Sequence, residues 1–187
     1  LAIALLLDSA ALLALMLATR IFIEFGDVID RRTSGLVLTL ARRLEAAAIP
    51  GVVELVPTFR SLMVHYDPLQ LPHAELKRRV VPMVAGMDAT ERPGRTWRLP
   101  VCYHDSCGPD LADVAVRTGL SVAQVVERHS AATYHVYMVG FLPGYPYMGG
   151  LPPELELPRR ENPRIKVPSG SVAIAMAMTA IYTLESP

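Results

Sequence analysis

The sequence predicts an α+β protein of two domains, a βαββαβ sandwich of the ferredoxin-like kind followed by a barrel or sandwich of short strands. Three observations carry this reading. Strand-like and helix-like periodicities alternate in the order β-α-β-β-α-β through the first half. Glycine and proline then cut the second half into short apolar runs. A polar connector holding Pro93 and Gly94 separates the two patterns and puts the domain boundary near residue 95, giving domains 1–95 and 96–187.

Residues 20–25 are β-branched and aromatic with partial alternation, and Gly26 and Asp27 close them as a turn, which predicts the first strand. Thr33 and Ser34 are candidate caps for a helix whose apolar residues Val37, Leu40, Ala41, Leu44, Ala47 and Ala48 recur every three or four positions, until Pro50 and Gly51 stop it. Residues 52–56 and 62–66 read as two strands joined by a hairpin-length connection. Pro72 suits the first turn of a second helix that carries Leu76, Val80 and Val84 on one face, with Pro82 expected to fray or kink its end. Residues 96–103 supply the sixth element, a strand. Beyond it, residues 108–119 predict a short helix closed by Gly119, Ser121 opens another that runs to His129, and residues 134–141 and 172–177 read as strands.

Composition narrows the function classes. Of 187 residues, 51% are hydrophobic and 19% charged, enough apolar side chain for a packed core. Eighteen basic residues balance eighteen acidic ones, which removes the footprint of a nucleic-acid binder or a polybasic membrane-surface protein, so any ligand must be gripped by a local site. Residues 1–18 are apolar apart from Asp8 and Ser9. They lack the basic start of a signal peptide, and a carboxylate in mid-segment disfavours membrane insertion by roughly 2.5 to 3.5 kcal/mol, so a buried soluble segment is expected. The first residue is Leu1 rather than Met, and the sequence is expected to be part of a longer product. Cys102 and Cys107 are read as a reduced thiol pair in a cytoplasmic protein, and without a second ligand pair nearby no metal site is expected.

Chemistry concentrates in two stretches. Residues 137–151 hold four glycines and two prolines, which set a loop of defined shape with Phe141, Tyr145 and Tyr147 as apolar walls, the two tyrosines adding hydroxyl tips. Arg159, Arg160, Arg164 and Lys166 follow within eight residues, and guanidinium forks suit carboxylates and phosphates. Pro163 and Pro168 stiffen this run more than a solvated basic edge requires. His129, at a helix end, is a candidate general acid or base as well as a candidate cap. No G-x-S-x-G, Walker-type loop or Ser-Lys amidase pattern occurs, and Ser169-Gly170-Ser171 reads as a turn, so an autonomous nucleophilic hydrolase is not expected.

His129, the run 134–141, Pro143-Gly144-Tyr145-Pro146-Tyr147, Pro158-Arg159-Arg160, Pro163-Arg164, the run 167–172 and the run 181–187 form one ordered string. Together with Glu24-Phe25-Gly26-Asp27 and the runs 51–57 and 60–67, it resembles the allophanate hydrolase subunit 1 family, which includes the B-type subunit of 5-oxoprolinase and the Kip inhibitor of a sporulation histidine kinase. The resemblance covers about residues 21–187. It implies a ferredoxin-like N-terminal domain and a cyclophilin-like β-barrel C-terminal domain. It further implies a non-autonomous subunit that pairs with a second family chain, the C-type subunit of 5-oxoprolinase or the second subunit of allophanate hydrolase, and, in oxoprolinase, with a third component. Such a complex converts the cyclic amide 5-oxoproline to glutamate with ATP hydrolysis, ATP being used at the level of the complex. By the same resemblance His129, Arg159, Arg160 and Arg164 are candidate catalytic residues and Phe141, Tyr145, Tyr147 and Lys166 candidate substrate-binding residues. Allophanate hydrolysis and inhibition of a sensor histidine kinase are the alternatives the family leaves open. The chain departs from the family pattern in an extra apolar stretch between Asp8-Ser9-Ala10 and Glu24, and the family continues past Pro187 into a glycine- and tryptophan-containing segment, so the barrel is expected to be C-terminally incomplete or completed by a partner.

Overall fold

The computed structural model describes residues 19–89 and 94–186. The chain divides into two compact units between Pro93 and Gly94. The apolar segment 1–18 lies outside the described residues. Among those described, no helix is long and apolar enough to cross a membrane.

The first unit runs β1 (Arg20–Glu24), α1 (Arg31–Ala47), β2 (Val52–Pro57), β3 (Ser61–Tyr66) and α2 (His73–Val84). Its sheet has the order β1-β3-β2, with both pairings antiparallel. The two-residue period of β3 turns Leu62, Val64 and Tyr66 inward, and these three are buried. Helical spacing on α1 delivers Val37, Leu40, Ala41 and Leu44, and α2 delivers Leu76 and Val80, to the same cluster. Each fully buried leucine there contributes roughly 1.5 to 3 kcal/mol of transfer free energy.

Helix α1 starts earlier than the expected Thr33–Ser34 cap. Asp30 is the cap, accepting from Thr33 N at 2.7 Å and from Thr33 Oγ1 at 3.1 Å, and Thr33 and Ser34 are buried inside the helix instead. The Thr33 N–H holds the Asp30 carboxyl below its ordinary range. Pro72 sits at the N-cap position of α2, just outside the first turn, and Pro82 lies inside its last turn.

The expected sixth strand is absent. Residues 94–103 pair with no strand, and the order among the described residues is βαββα. Their alternating apolar residues find no cover: Trp97, Leu99 and Val101 stay exposed, and Pro100 has no N–H to give a ladder. The Arg95 guanidinium lies 3.8 Å from the Trp97 ring centroid, a local pairing in place of a strand partner.

The second unit opens with α3 (Leu111–Thr118) and α4 (Val122–Ala131) and continues through β4 (His135–Val139), β5 (Pro146–Gly149), a 3-10 turn (Pro153–Leu155), β6 (Val172–Ala175) and β7 (Met178–Ile181). Gly119 ends α3 with a positive φ of 70°, which costs glycine nothing. Ser121 and Gln124 form a reciprocal capping box at the start of α4, at 3.2 and 2.8 Å. The core is small: Ala115, Val125, Leu151 and Leu155.

The strands form an antiparallel sheet of order β4-β5-β7-β6, and among the described residues it does not close into the expected barrel. Between the 3-10 turn and β6 the proline-rich run makes only isolated bridges, Leu157 to Met176 and Val167 to Ser186, too few ladder bonds to add strands.

The thiol-pair reading is also corrected. Cys102 and Cys107 are joined as a disulfide, because the turn after Tyr103 brings their Cα atoms to 5.9 Å, within the range a disulfide spans.

Candidate functional site

The sharp turn between β4 and β5 places the aromatic residues of the candidate loop. Leu142 N donates to Gly140 O at 2.9 Å, Tyr145 N to Leu142 O at 3.0 Å and Gly140 N to Tyr145 O at 3.1 Å. Phe141 takes a positive φ of 68°, uncommon for a side chain with this bulk, and swings outward to 63% exposure. Tyr145 points the other way and is 7% exposed. Thr183 Oγ1 ties the turn down by donating to Pro143 O at 2.6 Å.

Tyr145 is the hub of a ring cluster. Its centroid lies 5.4 Å from Phe141, 4.9 Å from Tyr147 and 5.1 Å from Tyr182, all edge-on. Burial, reinforced by Tyr182, pushes its phenol up to about 12, and the charge of Arg159 acts in the opposite sense. That opposing influence puts Arg159 within electrostatic reach of the ring cluster.

The four cations of the basic run separate by their partners. Arg160 Nη1 pairs with Asp110 Oδ1 at 2.8 Å, and Arg164 Nη2 pairs with the same oxygen. Lys166 pairs with Glu185 at 2.9 Å. Arg159 makes no ion pair among the described residues, so of these four cations it is the one without a carboxylate partner.

His129 belongs to a different group. It lies in the last turn of α4, with Nδ1 2.6 Å from Tyr103 OH and its ring 5.3 Å from that of Tyr134, whose hydroxyl donates to His129 O at 2.8 Å. Burial lowers the His129 pKa below its ordinary value and raises that of Tyr103, so a neutral imidazole faces a protonated phenol. In the tautomer with Nδ1 accepting from Tyr103, the proton sits on Nε2, which can donate. Tyr134 is pushed up to about 12, mainly by burial.

The structure therefore brings Phe141, Tyr145 and Tyr147 together, and the charge of Arg159 acts weakly on Tyr145. It commits Arg160, Arg164 and Lys166 to carboxylates, and no hydrogen bond or ring contact among the described residues joins His129 to the cluster. Sequence reasoning missed Tyr182, Tyr103, Tyr134 and Asp110 as members of these groups. Spacing offered no signal for Tyr103, 26 residues from His129, or for Asp110, 50 from Arg160, whereas Tyr134 lies only 5 residues from His129.

Comparison with known proteins agrees on one family. Residues 13–187 match the model of the carboxyltransferase domain, subdomain C and D. The 5-oxoprolinase B subunit of Bacillus subtilis is 36% identical over 176 residues, 88% of this chain and 73% of the relative. That of Escherichia coli O157:H7 is 37% identical over 169 residues, 90% of this chain and 77% of the relative. The crystal structure of TTHA0988 superposes with a TM-score of 0.76 at 35% identity, covering 90% of this chain but 32% of that protein's length.

Proposed function

We propose, on the premise that this chain belongs to the carboxyltransferase subdomain C and D family, that it is the B-type subunit of an ATP-dependent 5-oxoprolinase complex. The observation that carries this reading is the likeness to 5-oxoprolinase B subunits across most of the chain. The subunit is non-autonomous and cytoplasmic, and works with a C-type subunit and a third component to turn 5-oxoproline, ATP and water into glutamate, ADP and phosphate.

A lactam is a poor electrophile, and phosphorylating its oxygen creates a leaving group while adding negative charge. Arg159 is the guanidinium that meets that charge or the substrate carboxylate, and Phe141, Tyr145 and Tyr147 wall the substrate ring. Arg160 and Arg164, paired with Asp110, hold the segment that carries Arg159, and Lys166 pins its far end to Glu185. His129, neutral and with its proton on Nε2, serves as a hydrogen-bond donor to the substrate. The ferredoxin-like assignment of residues 1–95 is supported by the β1-β3-β2 order with both helices in one cluster. The cyclophilin-like assignment of residues 96–187 is supported by the antiparallel four-stranded sheet.

The test is reconstitution. Glutamate release from 5-oxoproline with ATP is measured for the chain mixed with its partner subunits and for the partners alone. Release that depends on this chain is expected, and release unchanged by leaving it out overturns the reading.

A further inference from the structure

The stretch bounded by Cys102 and Cys107 lies against His129 without belonging to any helix or strand. Both cysteines are exposed, and their sulfurs are bonded. The turn between them is folded by the N–H groups of Cys107 and Gly108, which donate to His104 O at 2.7 and 2.9 Å. Tyr103 is the residue of this loop that turns inward: it is half-buried, and its hydroxyl meets His129 Nδ1 at 2.6 Å. On the other side, Ser106 Oγ stands 2.9 Å from His104 Nδ1 and 3.9 Å from Cys107 Sγ. Residues 94–103, which lead into the loop, make no backbone hydrogen bond among the described residues, so Tyr103 is held by its packing and hydroxyl contact against His129 and by the adjoining disulfide rather than by a backbone ladder.

We infer that Cys102 and Cys107 form a reversible thiol–disulfide site whose state sets whether Tyr103 holds the His129 imidazole. The loop is short and exposed, and the bond that closes it starts one residue from the phenol, so opening it frees that phenol directly. The reductant is a small dithiol. Its thiolate attacks Cys102 Sγ, an S–S bond forms between them, and the Cys102–Cys107 bond breaks. Cys107 leaves as a thiolate, stabilised by the Ser106 hydroxyl, and takes a proton from solvent. The second thiolate of the reductant then attacks its partner sulfur in the mixed disulfide, and Cys102 departs as a thiolate that solvent also protonates. Two electrons pass to the protein, and the reductant ends as a cyclic disulfide.

The experiment uses the purified chain, first treated with glutathione disulfide and then with dithiothreitol. Mass spectrometry after alkylation should find no labelled cysteine before the dithiol and both labelled after it. In NMR spectra the cross-relaxation between the Tyr103 and His129 ring protons should be present in the oxidised form, lost on reduction, lost in Cys107→Ser, and regained on reoxidation. In Tyr103→Phe the alkylation pattern should be unchanged while the His129 ring resonances become the same in both states. Cysteines that label fully without reductant overturn the site. Cross-relaxation that persists in the reduced chain and in Cys107→Ser, or His129 resonances that still respond to reduction in Tyr103→Phe, overturn the coupling to His129. None of these readouts depends on 5-oxoprolinase activity.

Discussion

The two units hold their chains together by different means. The N-terminal unit gathers eleven buried residues into one cluster, from Val37 on α1 to Val80 on α2, and the ion pairs of Glu75 with Arg78 and Arg79 lie on an exposed face of α2. The C-terminal unit buries four residues in its cluster and relies on edge-on tyrosine rings, side-chain to backbone hydrogen bonds and carboxylate–guanidinium pairs. A continuous apolar core suits a platform. Clustered phenols and an unpaired guanidinium suit a site, and a unit that commits less of its surface to dry packing can accommodate them.

The largest expected effect tests the platform. Leu40→Ala removes a fully buried side chain from α1 and should cost about 2 to 5 kcal/mol, measured as a lower urea midpoint. The same change at Leu155, also fully buried but in the smaller cluster, should fall at the low end of that range. Equal losses would erase the distinction between the two cores.

Next comes Arg159→Lys in the reconstituted complex. The substitution keeps the charge but loses the fork, and turnover should drop roughly thirty- to a thousandfold, or about 2 to 4 kcal/mol, with assembly intact. Arg160→Lys and Arg164→Lys should stay within a few-fold, because each of these side chains already faces Asp110. A reversed ranking would move the site away from the tyrosine cluster.

Removing the capping box by Ser121→Ala should cost about 1 kcal/mol of stability, read as a shift in thermal midpoint. Asp110→Asn should cost less, roughly 0 to 1 kcal/mol, since both of its ion pairs are well exposed to solvent. The same variant frees Arg160 and Arg164, and a gain in anion binding would show that Asp110 competes with ligand.

The smallest effect is known by its sign. Burial lowers the His129 pKa in the folded chain, so the unfolded chain binds that proton more readily. This contribution to stability is therefore present at neutral pH and lost as pH falls below the ordinary histidine value of about 6.5. Urea titrations at neutral pH and near pH 5 should show the loss, and His129→Gln should flatten it.

Local patterns made much of the fold legible. The two-residue period of 62–66 and the three- and four-residue spacing from Val37 to Leu44 each depend on neighbours within a turn or two, and β3 and α1 appear where those periods lie. The glycine at 119 and the Ser121–Gln124 pair are equally local, and they end one helix and begin the next. The family string marked the tyrosine loop and the basic run by the same kind of short-range signal.

What the sequence by itself determined, then, is where the chain turns, coils and extends in most of its length, and which stretches carry aromatic and cationic side chains. Only the tertiary structure decided that residues 96–103 lack a strand partner, that Tyr182 joins Tyr145, that Tyr103 meets His129, and that Arg159, unlike Arg160 and Arg164, has no carboxylate partner among the described residues. The reason is physical. A period is written by residues close along the chain, whereas a strand partner or a counter-ion is supplied from tens of residues away. An arginine's chemistry is set by the carboxylate that reaches it, and Asp110 lies 50 and 54 residues from the two it holds.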